Sequence, residues 1–413
     1  MTDDQNWQPP GGAPPPRPAY GEYAPGSVPP PEPPTGPGWQ GQPGSPYGAG
    51  PGWTPPPKPG LIPLRPLAFG TLIGAPFQVL RRNPKATFGS ALIIQLVTAV
   101  VSLVAVGGVA AFALTRVGMA NAAERDTVLA GSIASIAISA LVPIALGIVG
   151  SAFLQGVIVT EVARATLGEK LTMRSLWRLA RRRLGTLTVW VLILAGVFVG
   201  VVLVLAGLVT LLVTVLASSG PIVGLVVGVV VGILGALGCI VLFAWLYTKT
   251  LLVPCLIVLE RATIRASIAR SWSLTSGYFW RTFGAWILVA LIVNVVSWIV
   301  TTPLQFIYSF AVTLIAPNGT IDANGGAIAT AIASYAVLLL FNVVIGAATS
   351  VVQASTVALI YIDLRMRKEG LDLDLVRFVE ARGTASAEAP DPYLPTTRQQ
   401  AQSTAAAPGV VPE

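Results

Sequence analysis

The chain has 413 residues, 54% hydrophobic and 11% charged, with a mean hydropathy of +0.72 and a formal charge of +8. Soluble domains carry about 25% charged residues, so the composition excludes an ordinary water-soluble fold and points to a bilayer. The absence of histidine and the presence of only two cysteines remove the commonest acid/base group and any dense thiolate framework; no metal and no cofactor is expected.

Residues 1–60 contain 20 Pro, 12 Gly and six charged side chains, too little apolar surface to offset the entropy of ordering, and read as a disordered cytoplasmic tail. The tail carries Trp7, Tyr20, Tyr23, Trp39, Tyr47, Trp53 and a "PPPRP" stretch at 14–18. Two readings stand: a solvated spacer, or a polyproline segment that docks a protein partner. Its start is polar and acidic, so no signal peptide is expected.

A helix crosses the ~30 Å hydrocarbon core with about 20 apolar residues. Residues 86–115, 127–160, 184–248, 282–321 and 323–362 are free of Asp, Glu, Lys and Arg. The third run is long enough for a hairpin, with its turn at Ala217-Ser218-Ser219-Gly220-Pro221. The prediction is an all-α, six-span polytopic bundle over residues 61–382, followed by a second loose tail at 383–413.

Lysine and arginine collect on one side: Arg65, Arg81, Arg82 and Lys85; then Arg164 through Arg183; then Lys249 through Arg281; then Arg365, Arg367 and Lys368. By the positive-inside rule both termini are cytoplasmic. The net charge therefore reads as topology, and no nucleic-acid partner is expected.

Three stretches ahead of the odd-numbered spans are self-similar: "FQVLRRNPKATFG" from Phe77, "WRLARRRLGTLTV" from Trp177 and "WSLTSGYFWRTFG" from Trp272. They suggest three copies of an amphipathic interfacial helix plus a helical hairpin. In the first, Phe69, Leu72, Ile73, Pro76, Phe77 and Leu80 share a face; in the second, Met173, Leu176, Trp177, Ala180 and Leu184 do so. Arg174, Arg178, Arg181 and Arg182 flank the second face, and Arg265, Arg270 and Arg281 mark the third copy, as candidate contacts to anionic lipid headgroups. Phe77, Trp177, Trp272, Tyr278 and Trp280 read as interfacial aromatics. Anchoring without recognition and specific headgroup binding remain alternatives.

Within the spans, Gly224, Gly228, Gly232 and Gly235 form a stripe for close helix approach, with bundle packing and a dimer face as alternatives. Gly196 and Gly200 repeat the spacing in the third span. Gln95, Gln155, Asn294, Asn342 and Gln353 are read as interhelical hydrogen-bonding groups, with transport as the other reading. Pro143 and Pro303 are expected to kink spans two and five. At the cytoplasmic exits Glu161, Glu260 and Asp363 are expected to accept from nearby arginines and fix the surface helices. Cys239 and Cys255 are read as packing residues, and no GxxxxGK[ST] loop is present.

The segments "GLIPLRPLAFGTLIGAPFQVLRRNPKATFG" (60–89), "LERATIRASIARSWSLTSGYFWRTFG" (259–284) and "LIYIDLRMRKEGLDLDL" (359–375) resemble bacterial integral membrane proteins, the actinobacterial branch most of all. These form the membrane domain of glycerophosphoryl diester phosphodiesterase. The match covers roughly residues 60–380, and its most specific part centres on Tyr361, Asp363 and Arg365. The resemblance implies a multi-pass protein of the bacterial inner membrane. The family's catalytic barrel uses histidines and metal-binding carboxylates, and this chain has no histidine, so the activity is not expected to carry over. The expected function is noncatalytic lipid interaction or scaffolding in the envelope, with anionic membrane lipids as partners. A lipid or small-molecule transporter is the alternative, and a lipid-headgroup enzyme built on Glu161, Glu260 and Asp363 a second one.

Overall fold

The structure, a computed structural model, describes residues 60–121, 123–217, 220–315, 325–383 and 391–394. The expected N-terminal tail, with its aromatics and "PPPRP" segment, lies outside these residues but for Gly60.

The described residues form helices and no strand. Helix α1 (Phe69–Arg82) precedes a first span made of α2 (Phe88–Ser102), a π-helical turn (Leu103–Gly107) and α3 (Gly108–Met119); α4 (Arg125–Thr166) returns. Next come α5 (Met173–Arg181), α6 (Leu184–Ala217), α7 (Pro221–Thr250) and its short continuation α8 (Val253–Leu259). The last set is α9 (Ile264–Thr275), α10 (Phe279–Ile315) and α11 (Gly325–Glu369), followed by α12 (Leu371–Gly383). Short helix, span, span thus recurs three times. Among the described residues six helices are long and apolar enough to cross a bilayer, and the fold is an all-α, multi-pass membrane bundle.

Local chemistry explains the breaks. Pro221 opens α7 at a position where its missing N–H costs nothing, after Gly220 at φ 139°. Beyond each second span one residue turns left-handed: Gly168 (φ 80°), Arg261 (φ 57°) and Gly370 (φ 69°). Such a residue caps free helix carbonyls and redirects the chain. It is glycine in two repeats and a strained arginine in the other. The "WSLTSGYFWRTFG" stretch is split by Gly277 (φ 81°), so Trp280 and Arg281 belong to the first turn of α10 rather than to the surface helix.

At 1.5 Å per residue the 45-residue α11 is about 67 Å long, more than twice the hydrocarbon thickness. Its basic end projects past the apolar layer, and the packed core gathers there. Leu67, Leu72, Ile158, Val162, Leu252, Leu256, Leu359 and Tyr361 are buried together. Toward the other end the hairpins present apolar side chains outward, among them Val204, Val241 and Phe306, as lipid-facing surface does.

The short helices pack more deeply than amphipathic periodicity implies. In α1 the buried residues are Leu72, Ala75, Pro76 and Val79, while Ile73 and Phe77 pack against Val289, Val293 and Val352; Phe69, assigned to the buried face by periodicity, is 40% exposed. In α9 the buried face is Ser267, Ser271, Leu274 and Thr275. Ser271 sits there because its Oγ donates to the Lys249 carbonyl at 2.7 Å, a bond invisible to hydrophobic periodicity. Thr275 back-bonds the Ser271 carbonyl, whereas the Ser267 hydroxyl has no partner among the described residues.

The C-terminal region departs from a loose tail at one point. Residues 391–394 are seated on the bundle: Tyr393 is 2% exposed, its hydroxyl bonds the Ala163 carbonyl at 3.0 Å, and Asp391 pairs with Arg164 at 2.7 Å.

Candidate functional site

The basic end is tied by buried ions. Asp363, near the end of α11, accepts from the Leu67 backbone N–H at 2.8 Å and from Arg281 and Arg367 at 3.1 Å each. Both guanidiniums also donate to the Leu67 carbonyl, at 2.6 and 2.7 Å. One carboxylate thus holds the entry to α1 and the first turn of α10 against α11. Glu260 accepts from the Tyr361 hydroxyl at 2.8 Å and pairs with Arg270 of α9. Arg365 donates to Tyr361 (3.0 Å), to Glu369 (2.9 Å) and to the Tyr393 carbonyl (3.1 Å). Glu161 takes Asn83 Nδ2 at 2.9 Å, and its second oxygen has no hydrogen-bond partner among the described residues.

The exit acids therefore brace α1 and α9: Asp363 through distant Leu67 and Arg281 and through Arg367 four residues on, Glu260 through Arg270, and Glu161 through Asn83 rather than an arginine. Of the arginines beside them, Arg164 turns to Asp391, and Arg365 reaches Glu260 only at 3.8 Å. Tyr361, Asp363 and Arg365 are all buried in this lattice. Burial also lifts the Tyr393 phenol above its ordinary value, so it stays protonated in its seat against Thr166.

The seven arginines expected at headgroups divide. Arg270 and Arg281 are engaged by carboxylates inside the protein and are bracing residues. Arg174, Arg178, Arg181, Arg182 and Arg265 are exposed and lack an acidic partner among the described residues. The aromatics divide too. Trp177 donates its indole N–H to Ser90 at 2.8 Å and meets Phe153 edge-on, so it bolts α5 to α2 and α4. Trp272 stacks edge-on with Trp245 under the Lys249 ammonium. Tyr278 lies beneath Lys368, Phe77 is packed inward, and Trp280 is 78% exposed.

The glycine stripe of α7 faces α6: a Cβ on Gly228 would collide with Val213, and one on Gly235 with Leu205. Gly224 is also buried, and Gly232 approaches Val209. Gly196 and Gly200 meet no such neighbour.

Two to three turns inside the basic end lies a cavity of about 340 Å³. Every span lines it: Gln95 and Thr98 from the first, Ser151 and Gln155 from α4, Trp190 from α6, Tyr247 and Thr250 from α7, Trp286 from α10, Ser350 and Gln353 from α11. Leu154, Trp190, Leu251 and Val357 are buried at its inner side, whereas Ser151 and Tyr247 are exposed, so the cavity opens on the outer surface of the bundle. Gln95 Nε2 donates to Ser350 Oγ at 3.3 Å, the one interhelical bond found among the five polar residues singled out in the spans. Asn294 and Asn342 instead donate to Ala290 and Leu338 of their own helices. Gln155 and Gln353 line the cavity with no hydrogen-bond partner among the described residues.

The cavity aromatics were not anticipated from sequence. A signal existed: Trp190 and Trp286 follow Trp177 and Trp272 by 13 and 14 residues, so they occupy near-equivalent places in two repeats. Among the described residues no three Cys, Asp or Glu side chains converge as a metal-binding group. No protein-family model, curated protein or solved structure matches the chain.

Proposed function

We propose that this is a noncatalytic membrane protein that accommodates a lipid, its headgroup in the intrabundle cavity and its chains in the surrounding bilayer, with the basic end on the cytoplasmic side of a bacterial inner membrane. The observation that carries the reading is the cavity itself. It lies within the span bundle, opens toward lipid-facing surface and is lined by polar groups from all six spans. Polar groups at membrane depth cost several kcal/mol when left without partners, and a seated headgroup would relieve that cost. The exposed arginines of α5 add a second contact suited to anionic lipid at the interface. On the motif at 359–375 we also propose kinship with the phosphodiesterase membrane domains, as a membrane module without their chemistry.

Native mass spectrometry of detergent-extracted protein tests this. The wild type should retain lipid, and Ser151→Phe, a bulky group at an exposed mouth position, should abolish most of it without changing the elution volume. Lipid retention unaffected by Ser151→Phe would remove the cavity from the account. Movement of the lipid between leaflets is a second reading, favoured because all three repeats meet at the cavity, and proteoliposomes carrying a fluorescent lipid would reveal it.

A further inference from the structure

We infer that the cavity selects a neutral, polyhydroxylated headgroup, the chemistry of a glycosylated diacylglycerol rather than of a phospholipid; this rests on the lipid reading above. None of its 19 lining residues is Asp, Glu, Lys or Arg. A phosphate entering it would lose water and meet no counter-charge, a costly exchange. The nearest ammonium along α7, that of Lys249, is occupied outside, over the rings of Trp272 and Phe279.

What the lining offers is matched donor and acceptor pairs. Each amide of Gln155 and Gln353 carries two N–H donors and a carbonyl acceptor, none bonded to a described residue. Gln95 uses its N–H₂ on Ser350, and no bond to its carbonyl is formed by a described residue. The indole N–H of Trp190, a residue 3% exposed, also lacks a protein acceptor among the described residues. Hydroxyl groups both give and accept, so adjacent hydroxyls on a ring satisfy amides two atoms at a time, as an ionised group cannot.

The aromatic rings complete the match. Trp190, Tyr247 and Trp286 arrive from three spans, the last two in contact with centroids 4.7 Å apart. Their electron-rich faces attract the polarised C–H groups of a sugar ring. A volume of about 340 Å³ is near the lower end of ligand pockets, roughly 300–1,000 Å³. It holds a single ring, not a whole lipid, so the acyl chains must leave through the mouth beside Ser151.

The test uses full-length protein in nanodiscs containing equal amounts of monoglucosyl-diacylglycerol and phosphatidylglycerol with the same chains, followed by gentle extraction and native mass spectrometry. The wild type should retain the glucosyl lipid at least tenfold over phosphatidylglycerol, and Gln155→Leu with Gln353→Leu should erase that preference. Because those amides bond no described residue, the double variant should fold; an unchanged elution volume and melting temperature verify it. Independently of that variant, the glucosyl lipid should shift wild-type tryptophan fluorescence, and Trp190→Phe should reduce the shift at least twofold. Preferred retention of phosphatidylglycerol, sensitive to Ser151→Phe, would overturn the headgroup assignment while leaving the lipid reading in place. Retention of neither lipid would overturn both.

Discussion

Asp363 has a side chain 2% exposed and serves two arginines and a backbone N–H. A buried pair adds little against an apolar replacement, but removing the carboxylate leaves two arginines, each about a quarter exposed, without their counter-charge and the Leu67 N–H without an acceptor. The cost lies below the about 3–5 kcal/mol of a fully buried pair. Asp363→Ala should therefore lower the melting temperature sharply, and Arg281→Met in the same background should recover part of the loss, read by fluorescence-detected size exclusion. Additive losses would mean the two do not interact. At the same scale Tyr393→Phe deletes the hydroxyl that meets Thr166 and Ala163. A net loss of about 1 kcal/mol per bond should appear as faster amide exchange in residues 160–167 rather than as global unfolding. The sequence revealed Asp363 as an acid at a span exit; that its partners are Leu67 and Arg281, up to 296 residues away, depends on three-dimensional placement.

At the scale of elements, α6 and α7 illustrate how a span hairpin closes without a hydrophobic effect. In lipid, close backbone approach and dispersion drive packing, and Gly228 and Gly235 receive Val213 and Leu205. Gly228→Ile should overpack this seam, costing about 1–3 kcal/mol, while Gly200→Ile, where a Cβ meets nothing, should leave the melting temperature unchanged. Equal effects would place the seam elsewhere. Helix α5 divides its sides differently: Leu176 and Ala180 are buried and Trp177 is bonded inward, leaving four arginines outside. Replacing Arg178, Arg181 and Arg182 by Gln should weaken recruitment of anionic lipid in nanodiscs severalfold and leave the fold intact. Lipid recruitment equal to wild type would reduce these residues to topology signals.

For the whole molecule, the short helices of three repeats gather at one end, α1 and α9 held by exit acids and α5 by Trp177, while the hairpins extend from it. With Cys239 and Cys255 replaced by Ala, single cysteines at Lys170 and Ser276 should label from one face of sealed membrane vesicles and one at Asn121 from the other. Labelling of Lys170 and Ser276 from opposite faces would refute the arrangement. This architecture also accounts for the cavity, since three hairpins rooted in one packed end need not fill the space where they first diverge.

Much of this was legible in the chain itself. The charge-free runs set six spans because hydrocarbon admits no unpaired charge, and the turn cluster at 217–221 divided the longest run. The recurring aromatic-basic entries marked three repeats for the same reason of position at an interface. What tertiary structure alone decided is which faces meet. A membrane helix is apolar toward lipid and toward its neighbours alike, so periodicity could not separate the buried Val79 from the exposed Phe69. Nor could it tell Gln95, bonded across to Ser350, from Gln155 and Gln353, which face open space. The seating of Tyr393 lay equally beyond it, because a short docked segment is specified by the surface that receives it and not by its own pattern.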